Sequence, residues 1–361
     1  MRACAPSSML RLVTSETPPE FTHSGSKRPT ITDVARAAGV SIAVVSYALN
    51  GRPGVSAATR DRVLRIADEH GWRPNAAARS LRTTTRSIGL ALVRGDSATT
   101  HPAAFMELLD GIQGTLAAKG LALVLQVVED HDAAATLYRT WWAERRFDAL
   151  LLTDVLVDDP RVEALRSARI PAVALCHPGA ARGLASVHLD ESEAYARTGR
   201  LLTGLGHRRV GLVTGPEALD STARRVSALR AAVEEAGGAL VDAPDAATQE
   251  DAAAATRVML TSEEAPSAVV LSSDLAAVTA LDVARRLHRD VPWDVSIVAG
   301  RDAPGCRLAT PSVTTLPLPL TALGEAAGNA VLDLLDGERP VERVVPVGAL
   351  TIRGTTAPFR R

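Results

Sequence analysis

The chain has 361 residues, 46% of them hydrophobic and 22% charged, with 40 basic against 41 acidic side chains and a formal net charge of −1. That length suits two or three domains with a substantial core. No apolar run is long enough to span a membrane, and three widely spaced cysteines, Cys4, Cys176 and Cys306, argue for a reducing cytoplasm and against a disulfide framework.

Residues 1–26, rich in Pro, Ser and Thr and without periodicity, read as a disordered tail, and the apolar run beginning at Met9 is too short for the core of a signal peptide. Thr30 followed three residues later by Asp33 resembles a capping box, so a first helix is expected to begin near Ile31, with Ile31, Val34, Ala35 and Ala38 on one face. Gly39 ends it, because glycine takes the left-handed conformation that a tight exit needs. Ser41 caps a second helix with Val44, Val45, Ala48 and Leu49 apolar, stopped at Asn50-Gly51. Ser56 caps a third over residues 57–70, with Val63, Leu64, Ile66 and Ala67 apolar. Two helices joined by a short turn containing glycine make a helix-turn-helix, though the same pattern also suits a hairpin from any helical bundle. Charge separates the two readings. Residues 27–86 hold eleven basic and four acidic side chains, a net of +7, whereas residues 87–361 carry −8. A basic head on an acidic body is the footprint of a module that binds a polyanion.

After residue 86 the grammar changes to alternating strand and helix. Strands are expected over residues 88–93, 121–127, 148–153 and 171–175, with helices over 104–119, 133–144 and 160–167 between them. The pattern then repeats, with helices over 191–204, 221–236, 251–260 and 275–288 and strands over 209–213, 267–271 and 295–299. A helix over 320–335 and a strand over 345–352 close the chain and cross back. Short apolar runs alternating with helices predict parallel sheets covered on both faces. The fold class is therefore α/β: a small all-α helix-turn-helix head plus a bilobed, doubly wound parallel-sheet body, with ligands outside the carboxyl ends of the strands.

The segments TITDVARAAGVS, VSYALNGRPGVS, TRDRV, GWRPNAAARSLR and TRSIGL, near-continuous over some sixty residues, closely resemble the head and hinge of the lactose-repressor/galactose-repressor (LacI/GalR) family of bacterial transcription factors. Weaker landmarks, LGHRRVGLVTG, SDLAAVTAL, VPWDVSIV, ATPSVTT and TIRGTTAP, extend the resemblance through the body, whose lobed fold also serves periplasmic sugar receptors. The resemblance implies a head over residues 27–73, a hinge helix and linker over 74–86, and an effector-binding and dimerisation domain over 87–361. It implies base-reading by Ile42, Ala43 and Tyr47 and phosphate contacts from Thr30, Ser41, Ser46, Asn50 and Thr59, several of which also serve as helix caps. Ile42 and Ala43 cannot donate to guanine but can pack against a thymine methyl, and Tyr47 can make one hydrogen bond, so the direct code is expected to be thin, with much of the specificity from the hinge and DNA shape. Asn75, Ala78 and Leu81 match the hinge that enters the minor groove, with Leu81 as the wedge. Paired hinges imply a homodimer on a near-palindromic double-stranded DNA operator.

For the effector, the resemblance points to Arg225, with Arg224 as the one-off alternative, to Ser273 and Asp274, and to Phe105 as a pocket wall. The segment Ala299-Gly-Arg-Asp302 departs from the family's usual Gly, aromatic, Asp, Asp, and puts Arg301 where relatives place a sugar-binding carboxylate. With Arg225 this favours an anionic sugar derivative over a neutral sugar; alternatively Arg301 salt-bridges Asp302 or Asp274. No cofactor or metal site is expected, His207 reads as structural, and the absence of GxGxxG, P-loop and GxSxG patterns argues against an enzyme. The expected function is effector-controlled, sequence-specific repression of transcription in the cytoplasm. The competing function, a sugar-type receptor with no DNA role, leaves the basic head unexplained.

Overall fold

The computed structural model describes residues 30–49, 52–70, 87–96, 101–242 and 245–359. They belong to two compact units, the first ending at Thr83 and the second beginning at Thr84. In the first, α1 (Ile31–Ala38), α2 (Ile42–Leu49) and α3 (Ala57–Glu69) enclose a small core of Val34, Ala35, Ala38, Val45, Ala48, Val63, Ile66 and Ala67. The capping box is present: the Thr30 hydroxyl accepts from the Asp33 amide, and the Asp33 carboxylate accepts from the Thr30 amide. Gly39 leaves α1 at φ 65°, and the chain turns through 100° into α2. Leu64, expected on the apolar face of α3, is exposed instead, because it lies about 100° round the helix from Val63, outside the arc that Val63, Ile66 and Ala67 bury. Among the described residues no single helix is long and apolar enough to cross a membrane.

The second unit consists of two lobes built on the same plan. The first lobe holds β1 (Ser87–Val93), α4 (Pro102–Ala118), β2 (Ala122–Val128), α5 (His131–Ala143), β3 (Ala149–Leu152), α6 (Pro160–Ser167), β4 (Ala172–Ala174), α7 (Pro178–Ala181) and β5 (Ala185–Leu189). The second holds α8 (Glu191–Gly204), β6 (Arg209–Val213), α9 (Asp220–Glu235), β7 (Ala239–Asp242), α10 (Gln249–Thr261), β8 (Ala268–Leu271), α11 (Asp274–Arg286), β9 (Ser296–Ala299), α12 (Pro304–Leu308) and β10 (Thr314–Thr315). The chain then returns to the first lobe with α13 (Leu320–Leu335) and β11 (Glu342–Val345).

Both sheets are parallel, in the orders β11-β5-β4-β3-β1-β2 and β10-β9-β8-β6-β7. In each, the first strand of the lobe is flanked by the second on one side and the third on the other, so the winding direction switches there and opens a crevice at the strand ends. Helices α4 and α13 cover one face together and approach closely: a Cβ on Gly111 would lie 2.0 Å from the Thr321 carbonyl oxygen.

The strand expected over 345–352 is displaced. Pairing with β5 ends at Val345, and farther on Thr351 makes an isolated bridge to Thr315. Between them the chain crosses to the second lobe, where Arg197 Nη2 donates to the carbonyls of Val347 and Gly348. The elements β5, β7, β10, α7 and α12 were not expected.

Candidate functional site

Two separate surfaces carry the residues singled out by the sequence. In the first unit, α2 buries Val45 and Ala48 and turns Ser41, Ile42, Ala43 and Tyr47 outward. Ile42 is 48% and Tyr47 43% exposed, a cost in apolar hydration that the three-helix core does not require. The Arg52 guanidinium lies 5.9 Å from the Tyr47 ring centroid, adding a positive charge beside the aromatic face. Ser41 Oγ accepts from the Val44 amide, and Ser56 Oγ accepts from the Thr59 amide at 3.2 Å while bonding the Thr59 hydroxyl at 2.8 Å. Thr30, Ser41 and Thr59 therefore sit at helix N-termini, where hydroxyls and first-turn amides together suit a phosphate. Ser46 is half-buried on α2. Asn50, Asn75, Ala78 and Leu81 lie outside the described residues.

In the second unit a cavity of about 400 Å³ opens where the strands of both lobes end. From the first lobe Phe105 on α4, Asp154 after β3, His177 after β4 and His188 in β5 reach it; from the second come Ser273 and Arg301. Phe105 packs against the core formed by Leu108 and Ile112 and offers its remaining surface as apolar wall. Ser273 caps α11, its Oγ accepting from the Ala276 amide at 3.1 Å.

Arg224, Arg225 and Arg301 all line the cavity, and each is held by carboxylates of the chain itself. Arg225 meets Glu191 in a fork, Nε to Oε2 at 2.9 Å and Nη2 to Oε1 at 2.8 Å, with the Tyr195 ring 5.9 Å away. Burial opposes the charge on Arg225, but Glu191 and Tyr195 outweigh it and hold the guanidinium above the usual arginine range. Arg224 Nε donates to Asp220 Oδ1 at 3.0 Å, and Asp220 Oδ2 accepts from the His177 amide of the other lobe at 3.1 Å. Of the partners left open for Arg301, the structure selects Asp274, at 2.9 Å from Nε, and adds Glu107, at 2.8 Å from Nη1. Asp302 is engaged elsewhere, by Arg353 and Arg307, which hold its carboxyl below the usual range against the effect of burial. Asp274 thus stands behind Arg301 rather than on the cavity wall.

An anion entering this cavity would find its cations already neutralised at short range, so the electrostatic case for an anionic ligand falls away. What remains are oriented donors: Arg225 Nη1 and Arg301 Nη2 make no hydrogen bond among the described residues. His188 adds a further polar atom, since its Nδ1 is buried without a hydrogen-bond partner there. Burial and the neighbouring His177 ring, 5.1 Å away, push the His188 imidazole down, so it is neutral near pH 7. The Cys176 thiol, pushed up to about 12 by burial and Asp220, is chemically quiet. Sequence reasoning missed Glu191, Asp220, His177 and His188 because each acts from a strand or helix end, and only the tertiary fold brings those ends together.

A family model described as bacterial regulatory proteins, lacI family, matches residues 30–75, and one described as a periplasmic binding protein-like domain matches 200–356. The HTH-type transcriptional repressor PurR of Salmonella arizonae is 30% identical over 327 residues, covering 88% of this chain and 94% of the relative. Among solved structures, a LacI family transcriptional regulator from Bifidobacterium animalis subsp. lactis is 29% identical with a TM-score of 0.70, covering 77% of this chain and all of that one. The transcriptional regulator CelR in complex with cellobiose is 27% identical with a TM-score of 0.68, covering 91% of this chain and all of its own. A lac repressor dimer bound to operator and the anti-inducer ONPF, 24% identical with a TM-score of 0.81 over 92% of this chain and all of that one, shares the fold.

Proposed function

This chain belongs to the lacI family of bacterial regulatory proteins, and on that premise we propose that it is a cytoplasmic, homodimeric repressor that binds an operator through its head and a small polar effector in the cavity of its body. The observation that carries the DNA reading is the outward row of α2: apolar and aromatic side chains with no core to fill, on the helix that follows a 100° turn in a strongly basic segment. Ile42, Ala43 and Tyr47 read base edges, mainly thymine methyls, while Thr30, Ser41, Ser46 and Thr59 hold phosphates. The apolar edge strand β2, with Val124, Leu125 and Val127 exposed, supports pairing with a second copy, since a bare apolar edge is otherwise an aggregation hazard.

The cavity supports a binding role and not a catalytic one: its one lining thiol is quiet, and its arginines are paired within the chain. Phe105, Ser273, Arg225 and Arg301 serve the effector, with the unbonded guanidinium nitrogens as donors to neutral oxygen acceptors. A neutral sugar, the class bound by the CelR relative, suits this lining better than an anionic derivative. Effector occupancy shifts the lobe equilibrium and with it the affinity of the heads for DNA.

The test is footprinting of purified protein on genomic fragments, including the DNA flanking its own gene, at two salt concentrations. A protected near-palindrome bound far above random DNA is expected. Weak binding everywhere that collapses with salt would be phosphate attraction only and would overturn the operator reading. Thermal shift against neutral sugars and their acids checks the ligand class, with the neutral compounds expected to raise the melting temperature.

A further inference from the structure

Within the second unit, the two lobes meet on the cavity rim at the His177 amide, which donates to Asp220 Oδ2 at 3.1 Å, and at two further places. One is a backbone seam: Leu156 and Leu219 form an antiparallel bridge, with the Val157 amide donating to the Ala218 carbonyl and the Asp220 amide to the Val155 carbonyl, each at 2.9 Å. The other is Arg301. It belongs to the second lobe and is anchored there by Asp274 at the start of α11, yet its Nη1 reaches Glu107 on α4 of the first lobe. Among the described residues this is the one side-chain ion pair that joins the lobes. Its two ends differ: the Arg301 side chain is 8% exposed and fixed, whereas that of Glu107 is 46% exposed and bound by this contact alone among the described residues. A pair with one buried, pre-oriented end and one releasable end breaks at Glu107, and it breaks when the lobes part.

We propose that Arg301 is an inter-lobe latch, holding the cavity closed through Glu107, so that this charge pair biases lobe closure and the effector response that depends on it. The buried guanidinium gives up no rotamer freedom to make the bond, because Asp274 has already oriented it, which is why a half-exposed pair can count here. The remaining Nη2 lies on the same group, so a ligand that accepts from it contacts the latch directly. The inference rests on the reading of a two-lobed effector cavity, but its test uses neither operator nor effector.

The measurement is amide hydrogen exchange of the full-length protein, comparing wild type with Glu107→Gln and Glu107→Lys. Residue 107 is half-exposed on a helix, so both variants are expected to fold, and far-UV circular dichroism checks this. The decisive amides are Val157 and Asp220, in the seam and not at the latch. If the latch governs opening, their exchange rises roughly two- to fivefold in Glu107→Gln and further in Glu107→Lys. High salt speeds the same amides in wild type and adds little in Glu107→Gln. Exchange that changes only in the helix around residue 107, or not at all, would make the pair a local surface contact and overturn the proposal. A failed operator footprint would leave this result intact, so the two readings fail separately.

Discussion

Arginine does opposite work in the two units. In the first, Arg62 is exposed and makes no ion pair among the described residues, and Arg36 and Arg65 pair only with exposed acids of their own helices. Such pairs are worth under about 1 kcal/mol and yield readily to a phosphate. In the cavity of the second, Arg225 and Arg301 are mostly buried, and each is held by a carboxylate whose own exposure is 11% or less, Glu191 and Asp274. There the charge is consumed by the fold and only its direction is left to a ligand. An arginine beside a surface advertises for an anion; the same residue locked to a buried carboxylate is a geometric device. This is why the substitution at residue 301, which on the sequence argued for an anionic effector, argues in the structure for a neutral one.

Three measurements bear on that contrast. The largest effect is expected from Arg225→Met, which strands the buried Glu191 carboxylate: unfolding by urea should show a loss of about 3 kcal/mol, with much of it recovered in Arg225→Met/Glu191→Leu. If the single variant is as stable as wild type, the cavity arginine is no more committed than those of the head. Next is Tyr47→Ala, which should weaken binding to the footprinted operator by about tenfold, the low end of one lost base contact, while changing stability by less than about 0.5 kcal/mol. Equal weakening on random DNA would make Tyr47 a phosphate contact rather than a reader.

The smallest effect is on pH. His207 is buried between Ser267 Oγ, at 2.9 Å, and the Ala357 carbonyl, at 3.1 Å, and burial holds its imidazole below the ordinary value. The unfolded chain therefore takes up that proton first. The stability it contributes is present above a pH of about 6.5 and is lost as pH falls through the lower folded value. His188 acts in the same sense. Melting temperatures between pH 8 and 5 should thus fall on acidification, and less steeply in His207→Gln.

Much of the architecture was legible in the residues. The Thr30–Asp33 box, Gly39 and the apolar spacing of Val34, Val45 and Val63 predict the head, and α6, α8, β6 and α13 fall at or within a residue of their expected bounds. These features are local: caps, turns and periodicity act over a few residues and are written in consecutive letters. His207 likewise reads as structural and is found buried and doubly bonded. The sequence by itself therefore determined most of the longer elements, their alternation, the charge division between head and body, and the family.

Only the tertiary structure decided what the charged groups of the cavity are for. Arg301 and Glu107 lie 194 residues apart in the chain, and Arg225 and Glu191 lie 34 apart. No local pattern says whether such a guanidinium faces a ligand or a carboxylate. Charge interactions depend on distance and burial in space, and both are set by how two lobes bring the ends of their strands together.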